Sequence, residues 1–272
     1  MSLSKVALPS GAVVAYEDSG GKGVPIIFSH GLFMDHAMFV PQVARFAPER
    51  RCISWDERGH GETVWNGGAF TYWDSARDLL ALMDALGIER AIHVGMSQGG
   101  LLGMRAAILA PERFVGIVQL ATQAGKLDDE GIAGFRVITD DWIANGVKPE
   151  TLDFLRDLIL GPGVDTAYWY DWWSRMTPQQ VTDALSALFS IDELYDRLHE
   201  VKVPLCTIHG LADVATPHPL AERVHAAVPD PRGITLIPNG PHAVNLSDPD
   251  AVNAAIAAFV DELARADPSI RG

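Results

Sequence analysis

The segment Gly95-Met96-Ser97-Gln98-Gly99-Gly100 constrains this chain more than any other. It follows Ala91 to Val94, an apolar run suited to a buried strand. It precedes Leu101, Leu102, Met104, Ile108 and Leu109, an apolar pattern compatible with a helix packed on a sheet. The flanking glycines let strand and helix approach, and a serine on so tight a turn takes a strained backbone and stands exposed at the helix N-terminus. There the unpaired N–H groups and the helix dipole favour the negative charge that develops on the carbonyl oxygen during acyl transfer. The bare G-x-S-x-G pattern is weak, because a chain with 25 glycines in 272 residues meets it by chance about 0.1 times. A helix-capping serine on a glycine-rich turn is the alternative, and the rest of the chain decides between them.

Taken in order, Leu3 to Leu8 and Ala12 to Asp18 read as two strands joined by the turn Pro9-Ser10-Gly11. Val24 to Phe28 is an apolar run of the kind found in parallel strands covered on both faces, and it leads into His30-Gly31-Leu32-Phe33. His30 is expected to make a loop hydrogen bond rather than transfer protons. A helix of about ten residues is expected from His36, then a strand from Arg51 to Trp55. The turn Asp56-Glu57-Arg58-Gly59-His60-Gly61 follows, its charges expected to satisfy backbone groups and one another. A helix from Phe70 stops at Gly87, the next strand delivers Ser97, and Phe114 to Ala121 is again strand-like. This alternation predicts a mostly parallel sheet flanked by helices.

From residue 123 to 200 the alternation stops, and helical segments rich in aromatic residues predict an inserted helical cap within a core formed by 1–122 and 201–272. Val203 to Ile208 resumes the sheet and delivers Asp213; Gly233 to Ile237 makes the last strand, with His242 in the loop beyond it. A closing helix starts at Asp248-Pro249, with Asp248 as its N-cap.

A serine hydroxyl near neutral pH needs a base to take its proton and a partner to fix that base. Ser97, His242 and Asp213 meet the need, in the order Ser, Asp, His, each just beyond a different predicted strand. Asp128 and Asp129 compete with Asp213 but suit the cap better. The formal charge of −14 opposes nucleic acid and anionic membranes as partners. No secretory or transit signal is evident at the N-terminus, which predicts a cytoplasmic protein. Cys52 and Cys206 each sit in an apolar strand-like run, and no metal-ligand spacing appears, so neither a metal nor a cofactor is expected.

Four motifs and a final histidine carry a resemblance: His30-Gly31, Asp56-x-Arg58-Gly59-x-Gly61, Gly95-x-Ser97-x-Gly99 and Gly210-x-x-Asp213, with His242 last. From first strands to last helix the chain resembles the α/β-hydrolase superfamily, whose fold is an eight-stranded, mostly parallel sheet. It is most similar to the small bacterial esterases, enol-lactone hydrolases and cofactor-free perhydrolases. Serine at position 97 sets it apart from branches with an aspartate nucleophile. The resemblance implies an oxyanion hole formed by the backbone N–H groups of Gln98 and Leu32, with Phe33 the alternative to Leu32.

The expected reaction is hydrolysis of a carboxylic ester or lactone through an acyl-Ser97 intermediate. Trp142, Trp169, Trp172 and Trp173 in the cap, with Phe33, are expected to line a pocket for a hydrophobic substrate of small to medium size. Two other readings stay open. One is hydrolysis of a carbon–carbon bond in a dienoic diketo acid, for which Arg136, Arg156 and Arg175 are candidate carboxylate ligands. The other is a ligand-binding receptor that keeps the site but releases product slowly.

Overall fold

The computed structural model describes residues 2–270. Its strands are β1 (Ser4–Ala7), β2 (Val13–Asp18), β3 (Ile26–Ser29), β4 (Cys52–Trp55), β5 (Ala91–Met96), β6 (Phe114–Leu120), β7 (Leu205–Gly210) and β8 (Pro231–Ile237). They form one eight-stranded sheet in the order β1-β2-β4-β3-β5-β6-β7-β8. β1 pairs with β2, and β2 with β4, antiparallel; the other pairings are parallel. The mostly parallel sheet expected from the sequence is therefore present.

The central strands are apolar along their length because both faces are covered. Successive side chains alternate across the pleat, so Ile26 and Phe28 enter one core cluster while Ile27 enters the other. Helices α1 (Val40–Phe46) and α10 (Pro249–Ala266) cover the first face; α2 (Tyr72–Ala85), α3 (Gln98–Leu109) and α8 (His218–Ala227) cover the second. Between β6 and β7 the chain is helical, with α4 (Asp129–Asn145), α5 (Pro149–Leu155), a π-helical turn (Arg156–Leu160), α6 (Ala167–Arg175) and α7 (Pro178–Phe189). Trp142, Trp169, Trp172 and Trp173 of this insert are continuous with the first core cluster. A short α9 (Val244–Ser247) leads into α10.

Two local expectations need correction. The helix expected from His36 is a 3₁₀ turn, His36–Phe39, capped by the Asp35 carboxylate, followed by α1. Pro41 in the first turn of α1 lacks an N–H and cannot continue a preceding helix. At α10, Pro249 opens the helix as expected, but the Asp248 side chain makes no cap bond; it accepts instead from the Ser247 hydroxyl at 2.7 Å. No helix among the described residues is long and apolar enough to cross a membrane.

All parallel strands end at one edge of the sheet, and β3 lies beside β5 in register, with Ser29 opposite Gly95. The loop after β3 and the turn after β5 are thus forced together, and α3 starts directly against that loop. Gly99 N–H donates to the His30 carbonyl at 3.0 Å. A β-carbon at Gly99 would sit 2.0 Å from the Ser29 carbonyl oxygen, an atom with no freedom to yield. Gly99→Ala should therefore destabilise the fold by about 3 kcal/mol or more. Gly134→Ala, in the open on α4 with nothing within 4 Å, should stabilise it by about 0.5–1 kcal/mol. Urea midpoints of the two variants check this, and equal midpoints would show that the α3–β3 approach is not tight.

Candidate active site

β5 ends at Met96 and α3 begins at Gln98, so Ser97 carries the whole reversal, with φ 52° and ψ −113°. A side-chain-bearing residue in such a conformation costs roughly 1–3 kcal/mol and persists only when neighbours hold it. Here Ser97 N–H donates to the Leu120 carbonyl at 2.8 Å, and its own carbonyl accepts from Gly100 N–H (2.9 Å) and from the Thr122 hydroxyl (2.7 Å).

Ser97 lines a cavity of about 90 Å³, and His242, on the loop beyond β8, lines it too. The His242 Nδ1–H donates to Asp213 Oδ2 at 2.8 Å. Asp213, beyond β7, is well supplied otherwise: its Oδ1 accepts the N–H groups of Ala215 (2.9 Å) and Thr216 (2.8 Å). His209 Nε2, bonded to the Thr216 carbonyl at 2.7 Å, lies 3.1 Å from Asp213 Oδ2. Burial alone would raise the Asp213 carboxyl, but hydrogen bonds from His209 and His242 outweigh it and hold the group well below the usual carboxylate range. The structure thus brings Ser97, Asp213 and His242 to one place. Asp128 is spent elsewhere, capping α4 through Gly131 N–H at 2.8 Å.

Leu32 and Gln98 also line the cavity. Among the described residues their backbone N–H groups have no acceptor in the protein, whereas those of Gly99, Met34 and Phe33 do. Gly99 donates to His30, Met34 to the Gly31 carbonyl, and Phe33 to His60 Nε2 at 3.1 Å. The last bond commits Phe33 N–H and leaves Leu32, not Phe33, with a free donor beside Ser97. His60 accepts at Nε2 and so donates Nδ1–H to the Arg58 carbonyl at 2.8 Å; burial pushes its pKa down to about 3, so it stays neutral. His30 behaves alike, accepting from Glu57 N–H (3.0 Å), donating to the Gly31 carbonyl (2.8 Å), and pushed by burial down to about 4. Its expected loop role holds.

Behind Gln98 lies a buried polar relay. The Tyr72 hydroxyl donates to Gln98 Oε1 (3.3 Å) and Gln98 Nε2–H donates to Glu57 Oε2 (3.1 Å). Burial raises the Glu57 carboxyl well above its ordinary range. Sequence reading missed Tyr72, Glu57, His60 and His209. Only His60 and Glu57 stood in a motif, and nothing local marks a helix tyrosine or a strand histidine as facing the site.

The turn after β4 is structural, as expected, but its charges do not pair with one another. Arg58 pairs with Asp78 of α2, with Nη2 donating to Oδ1 at 2.8 Å. Asp56 instead accepts from His36, through the backbone N–H and Nδ1, both at 2.7 Å, and from Glu62 N–H.

Of the aromatic residues expected in the pocket, Phe33 lines it, but Trp142, Trp169, Trp172 and Trp173 do not. A buried indole N–H needs an acceptor, and Trp172 and Trp173 both find theirs in the Phe33 carbonyl, each at 2.9 Å. Trp142 packs against the Phe33 ring at 5.2 Å, and Trp169 against the edge of Tyr168 at 5.0 Å. The insert contributes mainly aliphatic walls instead, among them Leu155, Leu158, Ile159 and Leu188, with Phe135 of α4 beside them. Their spacing on helices is that of ordinary core residues, so periodicity could not separate them from the core. Arg136, Arg156 and Arg175 do not line the cavity. Arg156 pairs with Asp153 and Asp157, Arg175 with Asp171, and Arg136 lies over the Phe189 ring at 5.2 Å.

The family model for the alpha/beta hydrolase fold matches residues 24–154. The 3-oxoadipate enol-lactonase 1 of Acinetobacter baylyi is 30% identical over 220 residues, 76% of this chain and 78% of that protein. A bifunctional esterase/perhydrolase of Acinetobacter calcoaceticus is 25% identical over 95% of this chain and 99% of its own. Among solved structures, a thermophilic esterase from Thermogutta terrifontis superposes with a TM-score of 0.84 at 21% identity, covering 97% of this chain and 99% of that one. At that identity the superposition speaks for the fold alone.

The Asp56–His36 pair makes a pH prediction. Burial alone would lower His36, but the hydrogen bond and charge of Asp56 raise it to about 9. A histidine raised above its ordinary value near 6.5 stabilises the fold fully below that value and loses the contribution as pH rises through about 9. The stability lost in His36→Gln, measured by urea unfolding, should therefore be largest at pH 6 and shrink to less than half by pH 9.5. A difference that does not vary with pH would show that His36 is not held as a cation.

Proposed function

This chain belongs to the α/β-hydrolase family, and on that premise we propose that it is a serine hydrolase cleaving a carboxylic ester or lactone of a neutral, hydrophobic compound. One observation carries the reading: His242 donates Nδ1–H to Asp213 while lining, with Ser97, an apolar cavity beside two unpaired backbone N–H groups. With Nδ1 holding the proton, Nε2 offers a lone pair. His242 takes the Ser97 proton as the hydroxyl attacks the acyl carbon, then returns it to the leaving alcohol. Asp213, kept ionised by its hydrogen bonds, fixes the imidazole tautomer and stabilises the imidazolium. The N–H groups of Leu32 and Gln98 receive the charge on the tetrahedral oxygen, aided by the N-terminus of α3. Water, activated by the same histidine, then releases the acid.

The relatives named for esterase and enol-lactonase activities support acyl chemistry at this site. The lining supports a neutral substrate. Among the described residues no lysine or arginine lines the cavity, so a dienoic diketo acid would bring its carboxylate into apolar surroundings without a counter-charge. That disfavours the carbon–carbon reading.

A cavity as small as about 90 Å³ points to a short acyl chain. Across 4-nitrophenyl esters from acetate to octanoate, kcat/KM should rise about fourfold per methylene, peak at butyrate to hexanoate, then fall. A fluorophosphonate should label Ser97, and Asp213→Asn should lower kcat by about 10⁴-fold with the fold intact. Full turnover in Ser97→Ala, or a label on another serine, would overturn the assignment; a flat chain-length profile would overturn the pocket.

A further inference from the structure

We infer that the helical insert is a fixed clamp and not a lid: Trp172 and Trp173 hold the backbone of the oxyanion loop, and Ile159 holds the backbone of the His242 loop. The inference rests on the acyl-transfer reading above, and it makes the two tryptophans positioning residues.

On the oxyanion side the clamp closes on one peptide. Phe33 has φ 60°, a left-handed conformation that a phenylalanine does not adopt unaided. Its N–H is tied to His60 Nε2, and its carbonyl receives both indole N–H groups of α6, each at 2.9 Å. Three bonds from outside the loop thus fix residue 33. The free N–H of Leu32 lies one residue upstream, joined to the anchored 32–33 peptide through the backbone of residue 32 alone. A further tie runs beside these, the Tyr168 hydroxyl donating to Asp35 Oδ2 at 2.7 Å.

On the histidine side, the π-helical turn ends at Gly161, whose N–H donates back to the Arg156 carbonyl. At a helix end the last carbonyls lack partners within the helix, and the Ile159 carbonyl takes Ala243 N–H at 2.7 Å, one residue beyond His242. Gly161 itself lies so close to Pro241 that a β-carbon there would sit 2.5 Å from the Pro241 β-carbon. The insert therefore grips the residue after the proposed oxyanion donor and the residues on either side of the proposed base. A lid that opened in each turnover would have to break all of these bonds and expose two buried indoles.

Two donors on one carbonyl give the test its signature. With either indole gone, the other still satisfies the Phe33 oxygen; with both gone, the carbonyl is buried without a partner and residue 33 is free to relax. Trp172→Phe and Trp173→Phe should each lower kcat for a short-chain ester by less than about threefold. The double variant should lose about tenfold to hundredfold in kcat, with KM within about twofold. Its affinity for a trifluoromethyl ketone, which forms the tetrahedral adduct, should fall in step with kcat, while that for the product acid stays level. Additive losses, or a loss confined to KM, would mean that the indoles only pack and would overturn the clamp.

A measurement on the unaltered protein covers a double variant that does not fold. Exchange of the Trp172 and Trp173 indole hydrogens should require global unfolding, and exchange through a much cheaper local opening would overturn the clamp. Ser97→Ala run alongside separates the two failures. If it turns over, the acyl-transfer reading falls. If it is inactive while the double variant matches wild type, the clamp alone falls.

Discussion

The site depends on the contact between α3 and the end of β3. Gly99 lets the helix backbone come against the Ser29 and His30 carbonyls, and that approach sets the distance between the turn carrying Ser97 and the loop carrying Leu32. Both are backbone features. A strained serine and an unpaired N–H group are useful to each other only if the strands beneath them cannot shift, and the parallel register of β3 with β5 fixes that. Strain at Ser97 and Phe33 is offset by bonds that the rest of the core supplies.

Much of this was legible in the sequence because it is local. Strands covered on both faces read as apolar runs, and the loops that follow them carry Ser97, Asp213 and His242 at the one edge where such a sheet gathers its loops. The sheet could be read for the same reason. What stayed hidden depends on distant partners. His209 lies inside β7 and reads as an ordinary strand residue until Asp213 folds back over it. The tryptophans of α6 look like pocket walls by composition, but their ring nitrogens need an acceptor, and that need sends them to Phe33. The residues that do line the cavity, such as Leu158 and Leu188, are indistinguishable by spacing from helix core. Arg58 has its partner on α2, twenty residues away, while the nearer Asp56 takes His36.

The electrostatics around the site are mostly those of neutral groups. His30 and His60 are buried and held uncharged, so they can direct hydrogen bonds without placing a fixed charge near Ser97, and burial pushes the Glu57 carboxyl up as well. Asp213, by contrast, is held ionised by four hydrogen-bond donors at or near its two oxygens.

The insert between β6 and β7 also bears on the order of folding. Ile117 pairs with Leu205, so closing that ladder carries a loop-closure entropy set by the whole helical segment, and β8 can join only afterwards. Asp213 and His242 lie on the far side of that closure from Ser97. A growing or partly refolded chain can complete the serine turn early, since β3, β5 and α3 are near one another in sequence, yet the proposed base joins it only when the last strands dock. On the proposed mechanism the hydroxyl is therefore unarmed in every partly folded form that lacks β7 and β8, and reactivity at Ser97 would report the completed topology.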